Sequence, residues 1–150
     1  MLQLDQQCIL LDMLAMGKES ALKELAQMAV DNHPALDSAN LYSVLLEREQ
    51  IGSTGVGNGV AIPHGKVAGL KEIIFCFGRS LHGVNFEAID NRPVYLFALL
   101  LSPTNIASEY LQALAHVSTV LKQHTNRIKL QQSSSPQEIV TIFTPPAKKL

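Results

Sequence analysis

One histidine in this chain stands in a setting suited to covalent chemistry. His64 closes the run Gly52-Ser-Thr-Gly55-Val-Gly57-Asn-Gly59-Val-Ala-Ile62-Pro63-His64-Gly65, which holds five of the nine glycines within fourteen positions. An imidazole with an unperturbed pKa of about 6.5 takes up and releases protons near neutral pH. Pro63 stiffens the approach, and Gly65 leaves no side-chain bulk beside the ring. Glycine-rich main chain also lets several N–H groups converge on one anion. Together these features suit a nucleophilic imidazole that takes a phosphoryl group while backbone donors hold its oxygens. The same residues also suit an ordinary glycine-rich turn with an incidental histidine. Spacing alone leaves both readings open.

Arg48 lies just before the glycine run, and its planar fork matches phosphate oxygens. Its alternative is a solvated arginine between Glu47 and Glu49. The two commonest nucleotide fingerprints fail. A P-loop ending at Gly65-Lys66 needs glycine at position 60 and Ser or Thr at 67, and both are valine. A GxGxxG pattern from Gly55 again needs glycine at position 60. His33, His82, His116 and His124 stand in helix ends, loops or helix interiors without metal spacing, so no metal and no other cofactor is expected. No GxSxG elbow occurs.

These groups must be positioned by flanking elements. Helical spacing of Leu22, Leu25, Ala26 and Ala29 predicts a helix from Lys18 to about Asn32, stopped by Pro34. A second helix, capped by Asp37 or Ser38, carries Leu41, Val44 and Leu45 and ends near Gln50. Val60–Ile62 reads as a short strand broken by Pro63-His64-Gly65, and Ile73–Phe77 as another. Leu81–Arg92 reads as a polar connection. Val94–Leu101, apolar throughout, reads as a central strand covered on both faces. A helix follows from about Ala107 to Gln123, with Leu111, Leu114, Val117 and Leu121 on one side. Ser135-Pro136-Gln137-Glu138 opens a last short helix with a capping box, and a loose tail is expected from about Pro145. The fold class expected is α/β: one domain over 1–150, a mixed β-sheet flanked by helices on its faces.

Composition bounds the function. With 150 residues, 47% of them hydrophobic and 17% charged, the chain is neither disordered nor of low complexity. Twelve Lys+Arg against thirteen Asp+Glu give a net charge of −1, which argues against a general nucleic-acid or anionic-membrane surface. Cys8 and Cys76 lack a CxxC and read as small buried hydrophobes. Val94–Leu101 is the longest apolar run, far below the roughly 20 residues needed to span a bilayer. Nothing resembles an export signal, so a soluble cytoplasmic protein is expected.

Arg48-Glu49 followed by the run from Gly52 to Gly65 resembles the signature of the enzyme IIA domains of the bacterial phosphoenolpyruvate:sugar phosphotransferase system, of the fructose/mannitol type (type 2). The resemblance is strongest to the nitrogen-regulatory branch, EIIA-Ntr. Gly83-Val-Asn-Phe86, Asp90-Asn-Arg-Pro-Val94 and Ser102-Pro103 fall in the family's order, so it spans nearly the whole chain. The resemblance implies that His64 accepts a phosphoryl group from the phosphohistidine of a small carrier protein, HPr or its nitrogen-branch paralogue NPr. It implies that Arg48 balances the roughly −2 charge this adds. Ser53, Thr54, Gly57 and Asn58 match motif positions near the phosphate pocket. Tyr110 stands where family members often carry a second histidine. It can donate a hydrogen bond to a phosphate but cannot carry positive charge.

The expected role is a regulatory phosphocarrier whose phosphorylation state changes which target proteins it binds. Two alternatives stand beside it. One is a sugar-specific IIA component that passes the group to a IIB domain. The other is a binding protein that has lost phosphotransfer. Self-association into a homodimer is compatible with the sequence but carried by no motif.

Overall fold

The computed structural model describes residues 2–144. The chain runs β1 (Leu4–Leu10), α1 (Lys18–Asn32), α2 (Ser38–Ile51), β2 (Gly55–Gly57), β3 (Val60–Ala61), β4 (His64–Lys66), β5 (Ile74–Val84), β6 (Val94–Ser102), α3 (Ala107–Lys122), α4 (His124–Gln132) and α5 (Pro136–Phe143). The expected tail from Pro145 lies outside the described residues.

All six strands form one mixed sheet in the order β1-β5-β6-β3-β2, with β4 also paired to β6. The β1–β5, β3–β6 and β4–β6 pairings are parallel, and β5–β6 is antiparallel. This is the mixed sheet with flanking helices that the sequence led us to expect. The apolar run at 94–102 is its centre. Leu96 through Leu101 are fully buried, as a strand covered on both faces must be.

Side-chain alternation assigns the faces. Phe75 and Phe77 point to Phe143 of α5, with ring centroids 5.1 and 5.4 Å apart. A Cβ on Gly78, the next residue, would instead meet Met13 and Leu25 of α1. Helices α1 and α2 therefore cover one face and α3, α4 and α5 the other.

The short strands fix the site. Val60 and Ala61 pair with Leu96 and Phe97, and His64, Gly65 and Lys66 pair with Leu100, Leu101 and Ser102. Pro63 cannot donate to the ladder, but its carbonyl accepts from Leu100 N at 3.0 Å, and pairing resumes at His64. The expected break at Pro63-His64-Gly65 is thus a two-residue interruption at Ile62-Pro63. Beyond it β4 is an edge strand, hydrogen-bonded only to β6.

Four further expectations change. Residues 4–10 form an unforeseen strand. β5 continues through Val84, so the polar connection starts later. A separate helix, α4, follows α3 after a one-residue break at Gln123. Leu111 is exposed at 66%, because the buried stripe of α3 is Tyr110, Ala113, Val117, Val120 and Leu121.

Candidate functional site

Alternation along β4 divides its residues between the two helical layers. His64 faces the same side as its partner Leu100, toward α3. Gly65 faces the other side, toward α2. A Cβ on Gly65 would lie 2.7 Å from Val44 Cγ1, so the missing side chain lets α2 pack directly on β4. The site therefore lies at an open sheet edge, where the end of α2 and the start of α3 meet from opposite faces.

His64 is half-buried, and its Nδ1 lies 2.7 Å from the Ile62 carbonyl. A carbonyl can only accept, so Nδ1 carries the proton and the neutral ring keeps its lone pair on Nε2. Burial holds the His64 pKa below its ordinary value, and the positive charge of Arg48 pushes the same way. The hydrogen bond to Ile62 and the negative charge of Glu49 oppose this. The net result is a neutral imidazole with Nε2 free to act as a nucleophile.

Tyr110, in the first turn of α3, stands with its ring centroid 6.2 Å from that of His64 and the planes inclined at 57°. Its hydroxyl is buried without a hydrogen-bond partner. Burial pushes its pKa up to about 12, so it stays a neutral donor. Buried hydroxyls normally find partners, and this one has none. The α3 N-terminus has no side-chain cap, which leaves first-turn amides and the positive end of the helix dipole on the turn that carries Tyr110.

Arg48 occupies the last turn of α2 and donates from Nη1 to Gly52 O at 2.8 Å. Its charge adds to the lowering of the His64 pKa and opposes the rise of the Tyr110 pKa, so the guanidinium lies within electrostatic reach of both. Ser53 and Thr54 link α2 to β2. Ser53 Oγ accepts from Gly55 N at 3.0 Å, and Thr54 O accepts from Ile62 N at 3.0 Å.

Gly57 and Asn58 are not brought to this site. Gly57 ends β2 with a φ of +98°, and Asn58 and Gly59 make the β2–β3 turn at +58° and +77°. Gly59 O accepts from Tyr95 N and Leu96 N, and Asn58 N donates to Asp90 Oδ2 at 3.3 Å. His64 pairs four to five residues further along β6, which at ~3.3 Å per residue is roughly 15 Å away. The stretch from Gly55 to Ala61 is therefore a tight hairpin. Its left-handed turn lies at the far end from the imidazole.

Glu49 is a charged group at the site that the sequence presents only as a neighbour of Arg48. It is 6% exposed and receives bonds from both Thr54 N, at 2.7 Å, and Thr54 Oγ1. Lys18 Nζ is 2.9 Å from its second oxygen. Its place beside Arg48 in the signature is the only signal that could have singled it out.

The remaining histidines lie elsewhere. His116 Nε2 bonds Phe143 O at 2.8 Å, and His33 Nε2 is 3.8 Å from the buried Cys8 thiol. His82 and His124 are exposed. Among the described residues no cluster is arranged to hold a metal ion, and no helix is long and apolar enough to cross a membrane.

The chain is similar to known proteins over nearly its whole length. Residues 2–145 match the family model described as phosphoenolpyruvate-dependent sugar phosphotransferase system, EIIA 2. A nitrogen regulatory protein of Bradyrhizobium diazoefficiens is 39% identical over 132 residues, covering 87% of this chain and 86% of that protein. A PTS system fructose-specific EIIA component of Haloferax volcanii is 35% identical over 126 residues, covering 84% and 82%. The crystal structure of nitrogen regulatory protein IIA-Ntr from Neisseria meningitidis superposes with a TM-score of 0.89 at 36% identity, covering 94% of this chain and 96% of that one. With its fold, its edge-strand histidine and its near-complete family match, the chain belongs to the EIIA type 2 family of the phosphotransferase system.

Proposed function

We propose that this protein is a phosphocarrier of the phosphotransferase system that accepts a phosphoryl group on Nε2 of His64 and regulates target proteins by its phosphorylation state. The donor is the phosphohistidine of HPr or NPr. The observation that carries the reading is the hydrogen bond between His64 Nδ1 and Ile62 O, which leaves the lone pair of the neutral ring on Nε2 of a half-buried side chain on an edge strand.

The step balances simply. The Nε2 lone pair forms a new N–P bond while the donor's N–P bond breaks, and the donor imidazole keeps that electron pair. Both bonds join phosphorus to imidazole nitrogen, so transfer is near thermoneutral and reversible. The protein's part is alignment and charge stabilisation. Arg48 offsets the added charge of about −2, and the Tyr110 hydroxyl gains an acceptor among the phosphoryl oxygens. Ser53 and Thr54 hold the loop that backs Ile62. Gly57 and Asn58 serve the hairpin.

The test is incubation with phosphoenolpyruvate, enzyme I and the carrier. One acid-labile, alkali-stable phosphoryl group per chain is expected, absent in His64→Ala. Label retained by that variant overturns the assignment. A second reading, a sugar-specific component that passes the group to a IIB domain, is favoured by the fructose-specific relative. Rapid transfer to a fructose-type IIB domain supports that reading. Phosphorylation-dependent capture of a regulatory target without such transfer supports the first. A cytoplasmic location suits either.

A further inference from the structure

We infer that Glu49 is a positioning residue for His64, acting through Thr54 and Ile62. This rests on the phosphoryl-transfer reading of His64. The connection is continuous. One Glu49 carboxylate oxygen accepts from both Thr54 N and Thr54 Oγ1. The Thr54 carbonyl accepts from Ile62 N at 3.0 Å. The Ile62 carbonyl accepts from His64 Nδ1 at 2.7 Å. Four residues from three stretches of chain thus form one file that ends on the ring nitrogen opposite the nucleophile.

A buried carboxylate is costly unless paired, and here the pairing is specific. Lys18, the first residue of α1, forms an ion pair with the second oxygen at 2.9 Å. The Lys18 ammonium also lies 5.1 Å from the Phe86 ring centroid, which fixes it from a further direction. Glu49 therefore cannot relax toward solvent without giving up Lys18. That makes it a rigid anchor for the loop between α2 and β2.

The chemistry gives the anchor a purpose. Thr54 sits on the 52–54 link, where no regular ladder fixes the main chain before β2. Without Glu49, Thr54 N and Oγ1 lose their acceptor. The Thr54 carbonyl then no longer holds the Ala61–Ile62 peptide, and with it the Ile62 Cα from which the Ile62 carbonyl projects. The Ile62 carbonyl in turn decides which imidazole nitrogen holds the proton and where Nε2 points. Displacement on the order of 1 Å in such a positioning element costs up to about a hundredfold in rate. Glu49 also acts through its charge, which opposes the pKa-lowering effects of burial and Arg48 on His64. Tyr110 is the third titratable group at the ring and remains neutral.

The test combines nitrogen-15 NMR of the His64 ring, in the unphosphorylated protein, with transfer kinetics. Glu49→Ala is expected to lower kcat about tenfold or more, with the KM for the donor carrier little changed. It should also shift part of the neutral ring to the Nε2–H tautomer and move the His64 pKa further down. Glu49→Gln keeps an acceptor for Thr54, so tautomer and kcat should recover to within about threefold of the parent while the pKa stays lowered. Folded Glu49→Ala with the parent's tautomer, kcat and pKa overturns the inference. If Glu49→Ala does not fold, Thr54→Val reads the same link. It should show a smaller kcat loss and a partial tautomer shift, and parent-like values for both overturn the inference. Because the tautomer is read without any phosphoryl donor, an inactive parent would count against the phosphocarrier reading, not against the anchor.

Discussion

The Tyr110 and His64 rings stand 6.2 Å apart across the junction of α3 and β4, and the Tyr110 hydroxyl beside that junction has no partner. At this junction the chain supplies a neutral donor. An orphaned buried hydroxyl costs roughly 1–3 kcal/mol in the resting protein. A phosphoryl oxygen arriving at Nε2 relieves that cost. Tyr110→Phe should therefore leave the melting temperature of the free protein unchanged or higher. The same variant should shorten the lifetime of phospho-His64. Thermal melts together with a timed hydrolysis assay check both, and a lower melting temperature with an unchanged lifetime contradicts them.

The depressed His64 pKa has a sign that stability measurements can read. The folded chain resists protonation of this ring more than the unfolded chain does. Between the unfolded value of about 6.5 and the lower folded value, the unfolded state binds more protons, so stability falls as pH drops through that window. Above 6.5 this group contributes no slope, and below the folded pKa the loss is complete. Denaturant titrations of parent and His64→Gln across pH 7.5 to 5 should show the variant losing less stability on acidification. For the same reason the acid limb of the phosphorylation rate should lie below pH 6.5.

Gly65 is required for closeness rather than for backbone freedom. Its neighbour across the interface is Val44 Cγ1, 2.7 Å from where a Cβ would stand. Gly65→Ala should push α2 away from β4, carry Arg48 from the ring, and destabilise by about 1–3 kcal/mol. Unfolding curves and transfer rates should fall together. Normal stability and normal rate would mean that Val44 moves aside freely.

Two charged or polar positions of the signature should behave oppositely. Arg48→Ala is expected to slow transfer at least about tenfold while leaving the fold intact, since it removes a phosphate-facing cation. Asn58→Gly, which preserves the left-handed turn, should leave transfer within about twofold, because that turn lies roughly 15 Å along the strand from His64. Transfer assays on the two purified variants decide this.

What the sequence reveals follows from how many neighbours each element has. α1, with six buried positions on one stripe, and β6, buried along nearly its whole length, are legible because burial imposes a period. α4 buries only Leu130, so no period marks it. β1 is an edge strand with three buried positions, too few to stand out. β5 continues past Gly78 through Arg79, a cation that reads as a surface residue. It is 5% exposed because it donates to the carbonyls of Leu11, Leu130, Gln131 and Ser133 at the end of α4. Those acceptors lie about 50 to 70 residues away in the chain and cannot be seen locally. His64 and Arg48 stood out by residue type and by their place at the glycine run, and Tyr110 only through the family resemblance. Glu49 did not, since its burial depends on Lys18 from a different helix. Gly57 and Asn58 were misplaced because proximity in sequence to His64 is undone by the extended run from 60 to 64.

The most direct test is phosphorus-31 and nitrogen-15 NMR of the protein phosphorylated through phosphoenolpyruvate, enzyme I and the carrier. The account predicts a single phosphoramidate, with phosphorus coupled to Nε2 of His64 and the proton retained on Nδ1. Phosphorus bonded to Nδ1, or to any residue other than His64, would contradict it.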